Sequence, residues 1–215
     1  MRRSYLLSLV LVCFSLSTLA QDICYGSMKK YFANRGDTVA PLQIVHRSKN
    51  QMKLTGGADY KIFTSTQNES MDRYLRKRCF VVSTNKDSCS FVNCRKLRYK
   101  KLRFGNWYAP CVLLGNKLYF SAVPLGSVIG QSFVDFGDAK LGGSVGEALA
   151  TCNLGSHRVL YVIDGATGKV DYVNQEMMKQ LFKDHPEWIE QYSKKTTCES
   201  NVLIKYLLEL KALEK

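Results

Sequence analysis

After the last hairpin of this chain, at Asn174, the hydrophobic period changes from two to 3.6, and that change constrains the fold more than any single motif. Up to Val173 apolar residues recur mainly at every second position, in short runs separated by turn residues; beyond it they recur every three or four. Period two marks strands and period 3.6 marks helices. Two hairpins stand out. Residues 107–114 and 117–123 flank Gly115-Asn116, a two-residue loop tolerant of positive φ. Residues 158–163 and 169–173 flank Asp164-Gly165-Ala166-Thr167-Gly168. After them Asn174 caps a helix bearing Met177, Met178, Leu181 and Phe182, Pro186 opens a second, and Thr197 caps a third with Leu203, Tyr206, Leu207, Leu210 and Leu213. The expectation is an α+β fold: a mainly antiparallel sheet of short strands, a glycine-rich central segment and C-terminal helices. One domain is expected over residues 21–215, strand-rich from 38 to 173 and helical from 174.

The central segment, 124–155, holds seven of the fifteen glycines. Residues 124–137 show no stable period and read as turns or a covered loop. Residues 138–152 read as a helix capped by Asp138, with Leu141, Val145, Ala148, Leu149 and Cys152 on one stripe. Gly142, Gly143 and Gly146 weaken such a helix by about 1 kcal/mol each relative to Ala, so it requires close packing.

Upstream, Cys24, Met28, Tyr31 and Phe32 fit one helical face, with Ser27 available to cap a shorter helix. Residues 40–46 and 59–64 read as strands, with Thr55-Gly56-Gly57 as a turn between them. Asn68-Glu69-Ser70 reads as a loop leading into a helical turn at 71–77. Residues 78–83 and 89–94 form a hairpin whose register sets Val81 against Val92, Phe80 against Asn93 and Cys79 against Cys94. Directly opposed side chains lie about 4.5–5.5 Å apart at Cβ. Cys79 and Cys94 are therefore a disulfide candidate; two buried free thiols are the other reading.

The next residues, RKLRYKKLRF from Arg95 to Phe104, alternate basic with apolar side chains. The phase slips at Lys100-Lys101, which predicts a strand interrupted by a bulge. Arg95, Lys96, Arg98, Lys100, Lys101 and Arg103, together with Arg73, Arg76 and Lys77, form the candidate anion-binding surface. The competing explanation is edge protection, in which charges keep a sheet from pairing with other chains.

The amino terminus bears on compartment. Arg2 and Arg3, the apolar run from Leu6 and the small residues Thr18 and Ala20 predict a signal peptide over 1–20, cleaved after Ala20. Its loss leaves 29 basic against 18 acidic residues, a net charge of +11, and seven of the eight cysteines. The product is expected to be secreted or periplasmic, with no membrane span after the leader. Anionic envelope material or a protein is the expected partner, and nucleic acid is disfavoured in that compartment.

Signals for chemistry are weak. Gly165-Ala166-Thr167-Gly168-Lys169 is too short for a phosphate loop and is followed by a strand. Three histidines, His46, His157 and His185, lie far apart, offering neither a metal pair nor a motif for a cysteine nucleophile. No catalytic residue, metal site or cofactor is assigned. A non-enzymatic binding protein is the leading expectation; a hydrolase of envelope material is the alternative.

Several segments resemble an uncharacterised family of small exported Bacteroidota proteins. They are Tyr25 with Phe32-Ala33-Asn34, RKLRYKKLRFGNWYAP, KLYFSAVP, GGSVG, RVLYVIDGATGKV, and His185-Pro186-Glu187-Trp188 with Tyr192. The resemblance spans most of the mature chain. It implies an envelope or secreted location and no reaction, cofactor or catalytic residue.

Overall fold

The structure, a computed structural model, describes residues 21–84, 89–135, 157–194 and 200–213. The predicted leader, most of the glycine-rich segment, with its expected helix at 138–152, and Thr197 lie outside them.

In chain order the elements are β1 (Asp22–Tyr25), α1 (Met28–Phe32), β2 (Asp37–Val39), β3 (Leu42–His46), α2 (Lys49–Thr55), β4 (Tyr60–Thr64), α3 (Glu69–Lys77), β5 (Val81–Ser83) and β6 (Ser90–Asn93). A 3-10 turn (Cys94–Lys96) leads to β7 (Arg98–Tyr99) and β8 (Leu102–Arg103), then β9 (Tyr108–Leu114), β10 (Lys117–Ala122), α4 (Val128–Asp135), β11 (Val159–Asp164), β12 (Val170–Tyr172), α5 (Gln175–Leu181), α6 (Pro186–Lys194) and α7 (Ser200–Leu213). The fold is α+β. Its sheet runs β12-β11-β10-β9-β6-β5-β1-β2, with β4 joining β9 and β3 pairing β4; every pairing is antiparallel. β7 and β8 form a separate two-stranded ribbon.

Both predicted hairpins are present, the first with Leu114 opposite Lys117 across Gly115-Asn116. Pro110 has no N–H to give a ladder. β10 parts from β9 next to it, at the Phe120–Cys111 pair, while staying on β11 as far as Ala122–Val159.

Side chains alternate between two cores. On one face, Val112, Leu114, Tyr119, Leu160 and Val162 pack under α5, α6 and α7, and Cys24, Val82, Phe91 and Tyr108 pack under α3. On the other face, Tyr25, Val92, Cys111, Phe120, Tyr161 and Tyr172 pack against α1, the 3-10 turn and the β7–β8 ribbon. The C-terminal helices begin as their caps dictate. Asn174 accepts from the Met177 amide and Pro186 is the first residue of α6.

Three local expectations are corrected. Cys24 belongs to a strand, and only Met28–Phe32 is helical, capped by Ser27. Residues 49–55 form a helix with a Ser48–Gln51 capping box where only a turn was expected. Val128–Asp135 is helical rather than irregular.

Candidate anion-binding surface

The sequence RKLRYKKLRF folds back on itself. Lys100 and Lys101 are a hairpin turn, not a bulge, and Lys100 takes the left-handed φ of 52° that such a turn requires. The reversal sets Arg98 directly opposite Arg103 and Tyr99 opposite Leu102. Tyr99, Leu97 and Phe104 are buried and anchor the ribbon on the sheet. Phe104 meets Phe120 and Tyr161 edge-on at 5.2 and 4.8 Å, and Tyr99 lies 5.5 Å from Tyr161. Burying Leu97 and Phe104 contributes about 1.5–3 kcal/mol each. With the apolar side chains facing inward, alternation turns Arg98 and Arg103 outward, where both are exposed. The Lys100 ammonium sits 5.3 Å from the Tyr99 ring centroid.

The remaining basic residues meet this ribbon through one amide. The Asn93 side chain donates to the carbonyls of Leu75 and Cys79, each at 3.0 Å, and more distantly to that of Arg76. It accepts from the Arg95 amide at 3.1 Å. The last turn of α3, with Arg76 and Lys77, is thereby tied to Arg95 and Lys96. Arg73 lies one turn earlier on α3 and is not part of that junction. Arg73, Arg76, Lys77, Arg95, Lys96, Arg98, Lys100, Lys101 and Arg103 are all exposed. Among the described residues none of them forms a salt bridge. Arg76 and Lys77 have a local explanation, since cations at a helix C-terminus complement its dipole. The ribbon arginines have none: like charges directly opposed across strands are destabilising.

The disulfide expectation is corrected. The β5–β6 ladder keeps the predicted register, Val81 opposite Val92, and reaches Phe80, whose carbonyl accepts from the Asn93 amide at 2.8 Å. There both strands turn away. The Cys79 amide goes to the Tyr74 carbonyl and the Cys94 amide to that of Trp107. Cys79 enters the core beneath α3, Cys94 enters the core on the opposite face, and both are free thiols. Cys79 instead neighbours Cys24. Their hydrogen bond pushes the Cys24 thiol far above its ordinary value and holds Cys79 below it, with a smaller downward pull on Cys79 from Lys96.

The structure also holds a buried polar cluster that sequence reasoning missed. Asp59 and Arg158 form an ion pair, with Arg158 Nε 2.9 and 3.0 Å from the two carboxylate oxygens. Arg158 also donates to the His157 carbonyl and the Met52 sulfur. Arg47 donates to the carbonyls of Gly56, Ala58 and Gln51, closing the C-terminal end of α2. Ser132 and His157, 3.2 Å apart, join α4 to the start of β11. Both are buried. Trp107 holds a φ of 76°, an uncommon backbone for a bulky residue, with Lys61 and Arg47 at 4.9 and 5.5 Å from its ring. The available signal was a charge placed beside a strand buried on both faces, Arg158 before Val159. Among the described residues no group of His, Cys, Asp and Glu is arranged to hold a metal, and no helix is long and apolar enough to cross a membrane.

No curated protein and no solved structure matches the chain. A family model does, over residues 23–214, which takes in the sheet, the basic ribbon and the C-terminal helices: the chain belongs to the family of unknown function DUF6563.

Proposed function

We propose that this is an exported, non-enzymatic protein of the Bacteroidota cell envelope that holds an anionic envelope component on its basic ribbon. The leader-like first twenty residues and the family resemblance support export. One observation supports binding: Arg98 opposes Arg103 on an exposed ribbon without a carboxylate partner among the described residues. Edge protection alone is an incomplete account. An Arg–Glu pair would guard an edge equally and would add about 0.2–1 kcal/mol, whereas an Arg–Arg pair gives up that stabilisation. An anion restores it.

The test is charge reversal at three positions, Arg98→Glu, Lys100→Glu and Arg103→Glu, in one chain. We expect the salt needed for elution from heparin to fall, together with sedimentation on vesicles containing anionic lipid. Elution and sedimentation equal to those of the wild type would reduce the ribbon to an edge guard.

A further inference from the structure

We propose that Arg98 and Arg103 clamp a phosphate monoester; this rests on the reading of the ribbon as the anion-binding surface and names the group it selects. The two residues are directly opposed, so their Cβ atoms stand roughly 5 Å apart. Two guanidinium forks that close together can converge on one small tetrahedral group. A carboxylate or sulfate ester carries one negative charge and neutralises one of the two. A phosphate monoester carries about −1.5 to −2 near pH 7 and presents three acceptor oxygens. It matches both charges and accepts paired N–H donors from each fork, the geometry for which arginine is better suited than lysine.

The surroundings are consistent with a small, highly charged group. Lys100 and Lys101 form the turn beside the pair and both are exposed, which raises the local positive potential. The ribbon floor is rigid, because Tyr99 and Phe104 are packed into the aromatic cluster around Tyr161. The arginine backbones are therefore fixed before a ligand arrives, and the ordering that opposes binding is confined to the two side chains. Leu102 lies opposite Tyr99 on the other face of the ribbon, its Cδ1 next to Gly126, and it stays partly open to solvent. The outward surface of the paired strands is thus the arginine pair itself.

The probes are inorganic phosphate, glucose 6-phosphate, and phosphatidylcholine vesicles doped to equal surface charge with either phosphatidic acid, a monoester, or phosphatidylglycerol, a diester. Affinity for the soluble probes is read from phosphorus NMR line broadening in the full chain at constant ionic strength. The double variant Arg98→Lys with Arg103→Lys keeps the charge and removes the forks. We expect its phosphate affinity to fall about tenfold, equivalent to about 1.4 kcal/mol. Wild type should prefer phosphatidic acid vesicles and release phosphate as the pH falls below about 6, where the monoester gains a proton. Arg103→Glu alone offers a second route: it creates a cross-strand ion pair, should melt no lower than wild type, and should lose phosphate. The clamp is overturned if the double lysine variant binds phosphate like wild type, if the two vesicle types bind equally, or if wild type binds phosphate no better than chloride. In each of those cases the basic-surface reading survives when the triple charge reversal still weakens heparin retention, and falls with the clamp when it does not.

Discussion

Two pairs of arginines in this molecule have opposite surroundings. Arg47 and Arg158 are 1% and 3% exposed, and their guanidinium groups are engaged by backbone carbonyls, a carboxylate and a thioether. Arg98 and Arg103 are exposed, face one another, and have no carboxylate among the described residues. A buried charge is costly, so the protein engages the interior pair, Arg158 through Asp59 and Arg47 through backbone carbonyls that leave its Nε without a partner among the described residues. An exposed charge is satisfied by water, so the ribbon pair is free to be matched by a ligand. The contrast separates charges that hold the fold from charges available for binding.

That separation is broken most severely by removing Asp59. Asp59→Ala leaves Arg158 charged and buried, and urea denaturation should show a loss of about 3–5 kcal/mol. Pairing it with Arg158→Met should recover much of that loss, because an apolar replacement of a whole buried ion pair is often neutral or better. A double variant no more stable than Asp59→Ala would mean that Arg158 serves chiefly through packing or its bond to the His157 carbonyl. A smaller effect is expected where the interior region meets the ribbon's exit. Gly57 has a φ of 80°, and a Cβ there would lie 2.5 Å from the Asn106 carbonyl oxygen. Gly57→Ala should destabilise by about 1–3 kcal/mol. Neighbouring Gly56→Ala, with a φ of 58° but open space around it, should cost less. Equal losses at the two positions would show that backbone conformation alone matters and that the Gly57–Asn106 contact does not.

The parts of this fold that were legible in the sequence are those fixed by local chemistry. Gly115-Asn116, Asn174 and Pro186 each impose one geometry on the few residues around them, and each element starts or turns where they stand. The Val81–Val92 register was readable because alternation and loop length determine it together. The error at Cys79 and Cys94 came one residue beyond the ladder, where the bond from Cys79 to Tyr74 at the end of α3 and the bond from Cys94 to Trp107 turn the chain and period no longer applies. The same limit hid the reversal at Lys100-Lys101, since a bulge and a tight hairpin both appear in sequence as a one-residue phase slip. α2 was missed although Ser48 and Gln51 carried its capping signal, because Gly56-Gly57 suggested a short turn. The basic residues of the candidate site were visible as composition; that two of them oppose each other was not, because opposition depends on that reversal. Asp59 and Arg158 are separated by 99 positions, so nothing local joins them.

The smallest expected effect concerns an exposed carboxylate committed to backbone rather than to an arginine. Asp164 accepts from the Thr167 amide at 2.8 Å, the Thr167 hydroxyl at 2.9 Å and the Ala166 amide at 3.1 Å, ordering the turn between β11 and β12. The Thr167 amide and hydroxyl hold its carboxyl below the ordinary value, with further help from the Ala166 amide and from Lys117. A depressed folded-state pKa stabilises the fold above the unfolded carboxyl's value of about 3.9 and loses that contribution as the pH falls through the folded value. Asp164→Ala should therefore melt slightly below wild type at pH 7, with a gap that narrows as the pH drops below the ordinary carboxylate range. A gap independent of pH would assign the effect to the neutral geometry of the turn. Either outcome sharpens the contrast with the ribbon, because an exposed charge that the protein does satisfy supplies the baseline against which the unsatisfied pair at Arg98 and Arg103 is measured.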